Sequence, residues 1–225
     1  MENRFIEFIK YIGDCVLEVI YPHTNNCIIC DSYVENKFLC RNCENKIKYC
    51  YDPYIIDKNG LKVKIYSVAY YSGIILELII RLKYKSDFKS GEVLGFLMYK
   101  KILKENLNID YITYVPSTNK SLKKRGYNQS KYLAKIIGDY TKIPIINLLT
   151  KNDNAKDQIG LNKEERWKNV KNSFNLKFKE NIENKNILLV DDVLTTGATT
   201  FYCFKELKKL KINNVFVLTA AKSRV

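Results

Sequence analysis

The residues able to do chemistry in this 225-residue chain gather in three places. The sharpest is Ile187-Leu188-Leu189-Val190-Asp191-Asp192-Val193-Leu194-Thr195-Thr196-Gly197-Ala198-Thr199-Thr200. An apolar run ends in two adjacent carboxylates, and a Thr/Gly loop then opens a helix. Open parallel sheets bind ligands beyond the carboxyl ends of their strands. A loop from Thr195 to Thr199 can aim several backbone N–H groups at one anion. Gly197 lets the backbone approach closely because it has no Cβ. The unpaired amides and dipole of the following helix favour a phosphate there. The hydroxyls of Thr195, Thr196 and Thr199 add donors. Asp191 and Asp192 suit two hydroxyls of a ribose, and could also hold a hydrated Mg²⁺ indirectly. Gly-Lys-Ser/Thr and G-x-G-x-x-G are both absent from the sequence, which excludes the P-loop and the dinucleotide fingerprint.

The second place is basic. Val115-Pro116-Ser117 closes a short apolar run, and Lys120, Lys123, Lys124 and Arg125 follow, then Gly126-Tyr127-Asn128-Gln129-Ser130. A strand end followed by polar donors could receive a pyrophosphate. Arg125 offers a planar, always charged fork for its oxygens, and Ser117 stands at the strand end. A solvated basic loop before a helix fits the same residues.

The third is Cys27-x₂-Cys30-x₉-Cys40-x₂-Cys43, two knuckles whose four thiolates match the tetrahedral demand of a structural Zn²⁺. With four thiolates, no position is left open for water, so the zinc is expected to be structural. A redox site would need one Cys-x-x-Cys alone. A disulfide framework belongs to secreted chains. His23 and Cys50 lie close enough in sequence to substitute as ligands. Cys15 and Cys203 sit at helix-core spacing.

The elements that must position these groups alternate. Lys62–Tyr71 reads as a strand and Ile74–Tyr84 as a helix. A second helix near Ser90–Glu105 has Ser90 as its candidate cap. A strand at Tyr111–Val115 stops at Pro116. The basic loop runs from Ser117 to Arg125, and a helix follows near Asn128–Tyr140. Ile143–Leu149 reads as a strand, and Asp153–Asn175 as a polar stretch anchored by Trp167 and Phe174. Ile187–Val190 reads as a strand buried on both faces. A helix at Thr199–Leu210 and a strand at Val215–Ala220 close the chain. Strands alternating with helices imply an α/β fold with a parallel sheet.

Four regions are expected. Residues 1–22 form an amphipathic helix with Phe5, Phe8, Ile9, Ile12, Cys15, Val16 and Val19 at helical spacing. Residues 23–50 form a zinc ribbon, 51–60 a linker, and 61–225 the α/β domain. The N-terminal stretch lacks the basic start and cleavage site of a signal peptide. No apolar run reaches the length of a membrane span, so a cytoplasmic protein is expected. The formal net charge is +14. Residues 1–50 hold 6 Lys+Arg against 7 Asp+Glu, so all of the excess lies beyond them. A basic body favours anionic partners without choosing among nucleotides, phosphosugars and nucleic acid.

Residues 187–200 resemble the signature of type I phosphoribosyltransferases. That resemblance implies that Asp191 and Asp192 contact ribose hydroxyls, that Thr195, Thr196, Gly197, Ala198 and Thr199 wrap a 5′-phosphate, and that 5-phosphoribosyl-1-pyrophosphate with Mg²⁺ is the ligand. Some members carry an acidic residue, a proposed base, where this chain has Thr195, so proton transfer has no assigned residue. Arg125-Gly126-Tyr127-Asn128-Gln129-Ser130 with Leu133-Ala134 resembles the characteristic stretch of the ComF competence family. Leu78-Ile79-Ile80-Arg81-Leu82-Lys83-Tyr84 does so too, as do Gln158, Leu161, Arg166, Asn169, Val170 and Phe174. The family resemblance implies an N-terminal zinc ribbon on a phosphoribosyltransferase-like core, and a role in handling single-stranded DNA during natural transformation beside a helicase-like partner. An active phosphoribosyltransferase acting on a base or amine, and a phosphosugar-binding regulator unconnected with DNA, remain as alternatives. Gln158 and Arg166 have no role that spacing gives.

Overall fold

The computed structural model describes residues 25–35, 37–58, 60–152, 163–177 and 182–223. The expected helix over 1–22, Cys15, His23, Gln158 and Leu161 lie outside the described residues, as do the side chains of Arg166 and Asn169. The chain divides into two compact units, residues 1–45 and 46–225.

In the first unit a bridge between Asn26 and Tyr33 closes a tight loop, with Cys27 N donating to Ser32 O at 2.8 Å. A one-turn helix, α1 (Arg41–Asn45), follows.

The second unit is an α/β domain with a mainly parallel sheet, as the alternation of elements predicts. Its strands are β1 (Tyr54–Lys58), β2 (Leu61–Tyr70), β3 (Tyr111–Tyr114), β6 (Asn186–Leu194) and β7 (Asn214–Lys222), in the order β1-β2-β7-β6-β3. Only β1 runs antiparallel, as a hairpin on β2. The segment expected as a linker therefore supplies an edge strand, whose Ile56 turns inward. In β6 the side chains of Ile187, Leu188, Leu189 and Val190 are all fully buried. Each contributes about 1.5–3 kcal/mol on leaving water, and the strand lies inside the sheet between β7 and β3.

The helices are α2 (Gly73–Lys85), α3 (Phe88–Lys104), α4 (Asn119–Arg125), α5 (Gln129–Thr141), α6 (Lys163–Val170) and α7 (Ala198–Leu207). Three readings change. Within the expected loop 117–125, residues 119–125 form a helix: Thr118 caps it, its Oγ1 accepting from Ser121 N at 3.2 Å, and Gly126 ends it at φ +80°. The cap of α3 is Asp87, which accepts from Ser90 N at 3.3 Å and from Ser90 Oγ at 2.8 Å. Residues 143–149 make one bridge, Ile112 to Ile145. They then lead into β4 (Leu149–Lys151), which pairs with β5 (Phe174–Leu176) in a separate two-stranded sheet.

Candidate functional site

β3 and β6 pair in register only as far as Tyr114 and Val190. One more bond, Val115 N to Val190 O at 3.0 Å, ends the ladder, and Pro116 turns the chain away. β6 runs on to Leu194 beside β7, with Asp191 opposite Thr219 and Leu194 opposite Lys222. The two acids thus lie inside the strand rather than at its end. They sit at the point where its β3 neighbour has left, and the vacated edge is the wall of a cleft of about 320 Å³.

Asp191 is 7% exposed. Its Oδ1 accepts from Ser130 Oγ at 2.9 Å and from Asp192 N at 2.9 Å. Burial, and after it the neighbouring Asp192 charge, push its carboxyl up to about 7, against the pull of those two hydrogen bonds and of Lys83. Asp192 forms an ion pair with Lys83, Nζ to Oδ2 2.6 Å, with both side chains largely shielded. Burial works to lower the Lys83 pKa, but the charge and hydrogen bond of Asp192, with Asp191 behind, outweigh it and the net shift is upward.

The loop after β6 turns at Gly197, whose φ is +78°, a left-handed conformation that favours glycine. A Cβ there would also overlap Ile56 Cδ1 of β1. Gly197 O accepts from Phe201 N at 2.9 Å and from Thr200 Oγ1 at 3.0 Å, which fixes the start of α7. The first-turn amides of a helix have no intrahelical carbonyl to reach, and here that turn opens on the cleft. Thr195, Gly197, Thr199 and Thr200 line it. Thr196 and Ala198 do not. The Thr196 hydroxyl accepts from Ala198 N at 3.4 Å, and the Ala198 methyl is 2% exposed within the core.

Ser117 and Arg125 reach the same cleft from the other side. Each residue of the stretch 125–130 has a structural task. Arg125 Nη1 donates to Gln129 Oε1 at 3.1 Å. Gly126 ends α4, and the Tyr127 hydroxyl donates to Leu82 O in α2. Asn128 caps α5 by accepting from Lys131 N at 3.0 Å while its Nδ2 holds Val115 O at 3.0 Å. Ser130 meets Asp191. The segment therefore ties the end of β3, the start of α5 and the turn of α2 around the acid pair. Sequence reasoning missed Lys83, Gln129 and Ser130 as lining residues. The signal available was their place in the two stretches 78–84 and 125–130. Only the fold brings them onto Asp191 and Asp192.

In the first unit the Sγ atoms of Cys27, Cys30, Cys40 and Cys43 all lie within 4.8 Å of one another. Cys30 and Cys40 are 3.6 Å apart. A tetrahedral zinc with thiolates at about 2.3 Å needs sulfurs about 3.8 Å apart, so the set fits that ion. Cys43 N donates to Cys40 Sγ at 3.4 Å, which favours its thiolate and lowers its pKa to about 6. Cys50 and Cys203 belong to the other unit, where burial raises both thiols.

No family model matches the chain. Among curated proteins, Competence protein F of Haemophilus influenzae is 28% identical over 209 residues, covering 88% of this chain and 90% of its own. This is a ComF-like chain. Competence protein ComFC of Bacillus subtilis is 25% identical to it, over 88% of this chain and 78% of its own. DNA utilization protein YhgH of Escherichia coli K12 is 24% identical, over 82% and 85%. Of solved structures, an adenine phosphoribosyltransferase from Thermoanaerobacter pseudethanolicus is 14% identical with a TM-score of 0.41, covering 80% of the ComF-like chain and 98% of its own. A Neisseria gonorrhoeae protein with bound ppGpp has a TM-score of 0.39 at 16% identity, over 61% and 73%. Likeness of that degree decides neither fold nor ligand. Among the described residues, no helix is long and apolar enough to cross a membrane.

Proposed function

We infer that the cleft binds a ribose phosphate, with 5-phosphoribosyl-1-pyrophosphate and Mg²⁺ as the ligand that fits best, in the service of DNA uptake. One observation carries the reading. Paired carboxylates, the open first turn of a helix, and two cations converge on one cleft: Asp191 and Asp192, the 195–199 loop, Lys83 and Arg125. Carboxylates suit the ribose hydroxyls, the loop amides suit the 5′-phosphate, and Arg125 with Ser117 suits the pyrophosphate. Mg²⁺ would travel with the pyrophosphate and neutralise it. The names of the competence and DNA utilization relatives support a role in handling incoming DNA. In the first unit, Cys27, Cys30, Cys40 and Cys43 would hold a structural zinc that stabilises the fold there.

Isothermal titration with phosphoribosyl pyrophosphate and Mg²⁺ tests the reading. Binding is expected for the native chain and loss of at least tenfold for Asp191→Asn/Asp192→Asn. Equal affinity in both removes the acids from the site. Turnover of the same ligand in the presence of free bases or amines would make the protein a transferase as well as a binder.

A further inference from the structure

Two demands meet on one carboxylate. The ribose-phosphate reading gives Asp192 a sugar hydroxyl, yet its Oδ2 already holds Lys83 Nζ at 2.6 Å, and only 14% and 20% of the two side chains is exposed. Both residues line the cleft. Two other cations line it and stand on different groups. Arg125 donates to the neutral amide of Gln129 at 3.1 Å, and Lys151 lies over the Phe174 ring at 5.4 Å. Lys83 is thus the cation placed on an acid that the ligand needs.

A brace between α2 and β6 is the plain alternative. α2 is already fixed by the buried side chains of Ile74, Ile75, Leu78, Ile79 and Leu82, and by the Tyr127 hydroxyl on Leu82 O. A shielded ion pair adds little to such packing, because desolvating two charges offsets much of their attraction. A brace would also have no need to stand in the wall of a ligand cleft. Sugar chemistry accounts for the pair better. In a ribose the C1 substituent and the C2 hydroxyl sit on adjacent carbons. A carboxylate that takes the hydroxyl and a cation that takes an anion on C1 must then be neighbours, as Asp192 and Lys83 are.

We propose that Lys83 sets the specificity of the cleft: it holds Asp192 until a diphosphate on the ribose C1 draws the ammonium away and frees the carboxylate for the sugar. Lysine suits this exchange, being a compact charge on a flexible four-carbon stem, so α2 itself need not move. A sugar without the diphosphate offers Lys83 no anion, its 5′-phosphate being held at the 195–199 loop, and must compete with Lys83 for Asp192. The proposal rests on the ribose-phosphate reading and adds to it the choice of 5-phosphoribosyl-1-pyrophosphate over ribose 5-phosphate.

The test is calorimetric titration of the full chain with ribose 5-phosphate, with and without saturating inorganic pyrophosphate, in Mg²⁺ throughout. Pyrophosphate is expected to tighten ribose 5-phosphate binding to the native chain by about fivefold or more, an ordinary coupling between two sites. In Lys83→Met the coupling should vanish, and ribose 5-phosphate alone should bind at least as well as to the native chain. Phosphoribosyl pyrophosphate should bind Lys83→Met about tenfold or more weaker, as for a lost hydrogen bond to a charged group. Arg125→Gln should weaken pyrophosphate but keep the coupling once pyrophosphate saturates. A native chain that binds neither sugar phosphate removes the ribose-phosphate reading, and this inference with it. A native chain that binds both without coupling overturns the inference alone, and that measurement needs no variant to fold. So does coupling that survives in Lys83→Met, or a folded Lys83→Met that weakens both ligands alike, which is the behaviour of a brace.

Discussion

The Ser130 hydroxyl donates to the Asp191 carboxylate at 2.9 Å, across 61 residues of sequence. That bond joins the start of α5 to the acid-bearing strand, and it favours the ionised carboxylate. Ser130→Ala should therefore raise the Asp191 pKa further above about 7 and weaken ribose-phosphate binding at neutral pH by about tenfold or more, as for a hydrogen bond to a charged group. Calorimetric titrations over a pH series would read both effects. A binding midpoint that stays put in Ser130→Ala contradicts this role, and Ser130→Thr should restore it.

Asp191 also makes folding stability depend on pH. Its folded pKa is raised from 3.8 to about 7. Between those values the native state holds a proton that the unfolded chain has released. The contribution is fully present below the unfolded value and is lost as pH rises through the folded one. At higher pH the native state carries a buried charge costing on the order of a few kcal/mol. Asp191→Asn should remove this slope. Urea unfolding at a series of pH values is expected to show native stability falling, relative to Asp191→Asn, from about pH 4 to about pH 7. Parallel curves for the two proteins would rule the effect out.

Gly197 faces two constraints that a double mutant separates. Its φ of +78° disfavours any side chain, and a Cβ meets Ile56. Gly197→Ala should cost about 2–5 kcal/mol in thermal or chemical unfolding, combining about 1–2 for the left-handed backbone with about 1–3 for the overlap. In an Ile56→Ala background only the backbone part should remain. If the cost is the same in both backgrounds, β1 does not press on the loop.

The four-cysteine cluster predicts metal content. Native mass spectrometry of protein purified without chelator should find one zinc per chain, and Cys43→Ser should lose it. Binding of this kind is worth about 10–16 kcal/mol of folding free energy in small zinc modules at neutral pH. Chelation should therefore collapse the order of residues 25–45, seen as lost dispersion of their amide resonances. Dispersed amides in a metal-free sample would mean that the segment folds without the ion.

Much of the fold was legible because its signals are local. The apolar run Ile187–Val190 reads as a strand buried on both faces, and the spacing in Gly73–Lys85 and Gln129–Thr141 gave those helices to within a residue or two. The misreadings have physical causes. Asn119–Arg125 has no apolar face, with none of its residues buried, so periodicity had nothing to report. Ile143–Leu149 has strand composition, but Pro144 and the departure of the chain toward β4 leave it one bridge. Tyr54–Lys58 was hidden because an edge strand buries only one residue in five, Ile56.

From its own residue order the chain determined which groups could do chemistry: two neighbouring acids before a Thr/Gly turn, an Arg-to-Ser polar stretch, and four cysteines at knuckle spacing. Covalent adjacency keeps the two acids together, and the members of each Cys-x-x-Cys knuckle near one another, whatever the fold. Only tertiary structure decided that β3 stops at Tyr114 and so opens the edge beside Asp191. The same holds for Lys83, which arrives from α2 to pair with Asp192, and for Ser130, which meets Asp191. These contacts join residues far apart in sequence, and their energies come from burial and charge created when the sheet and helices pack. No window of local sequence contains them.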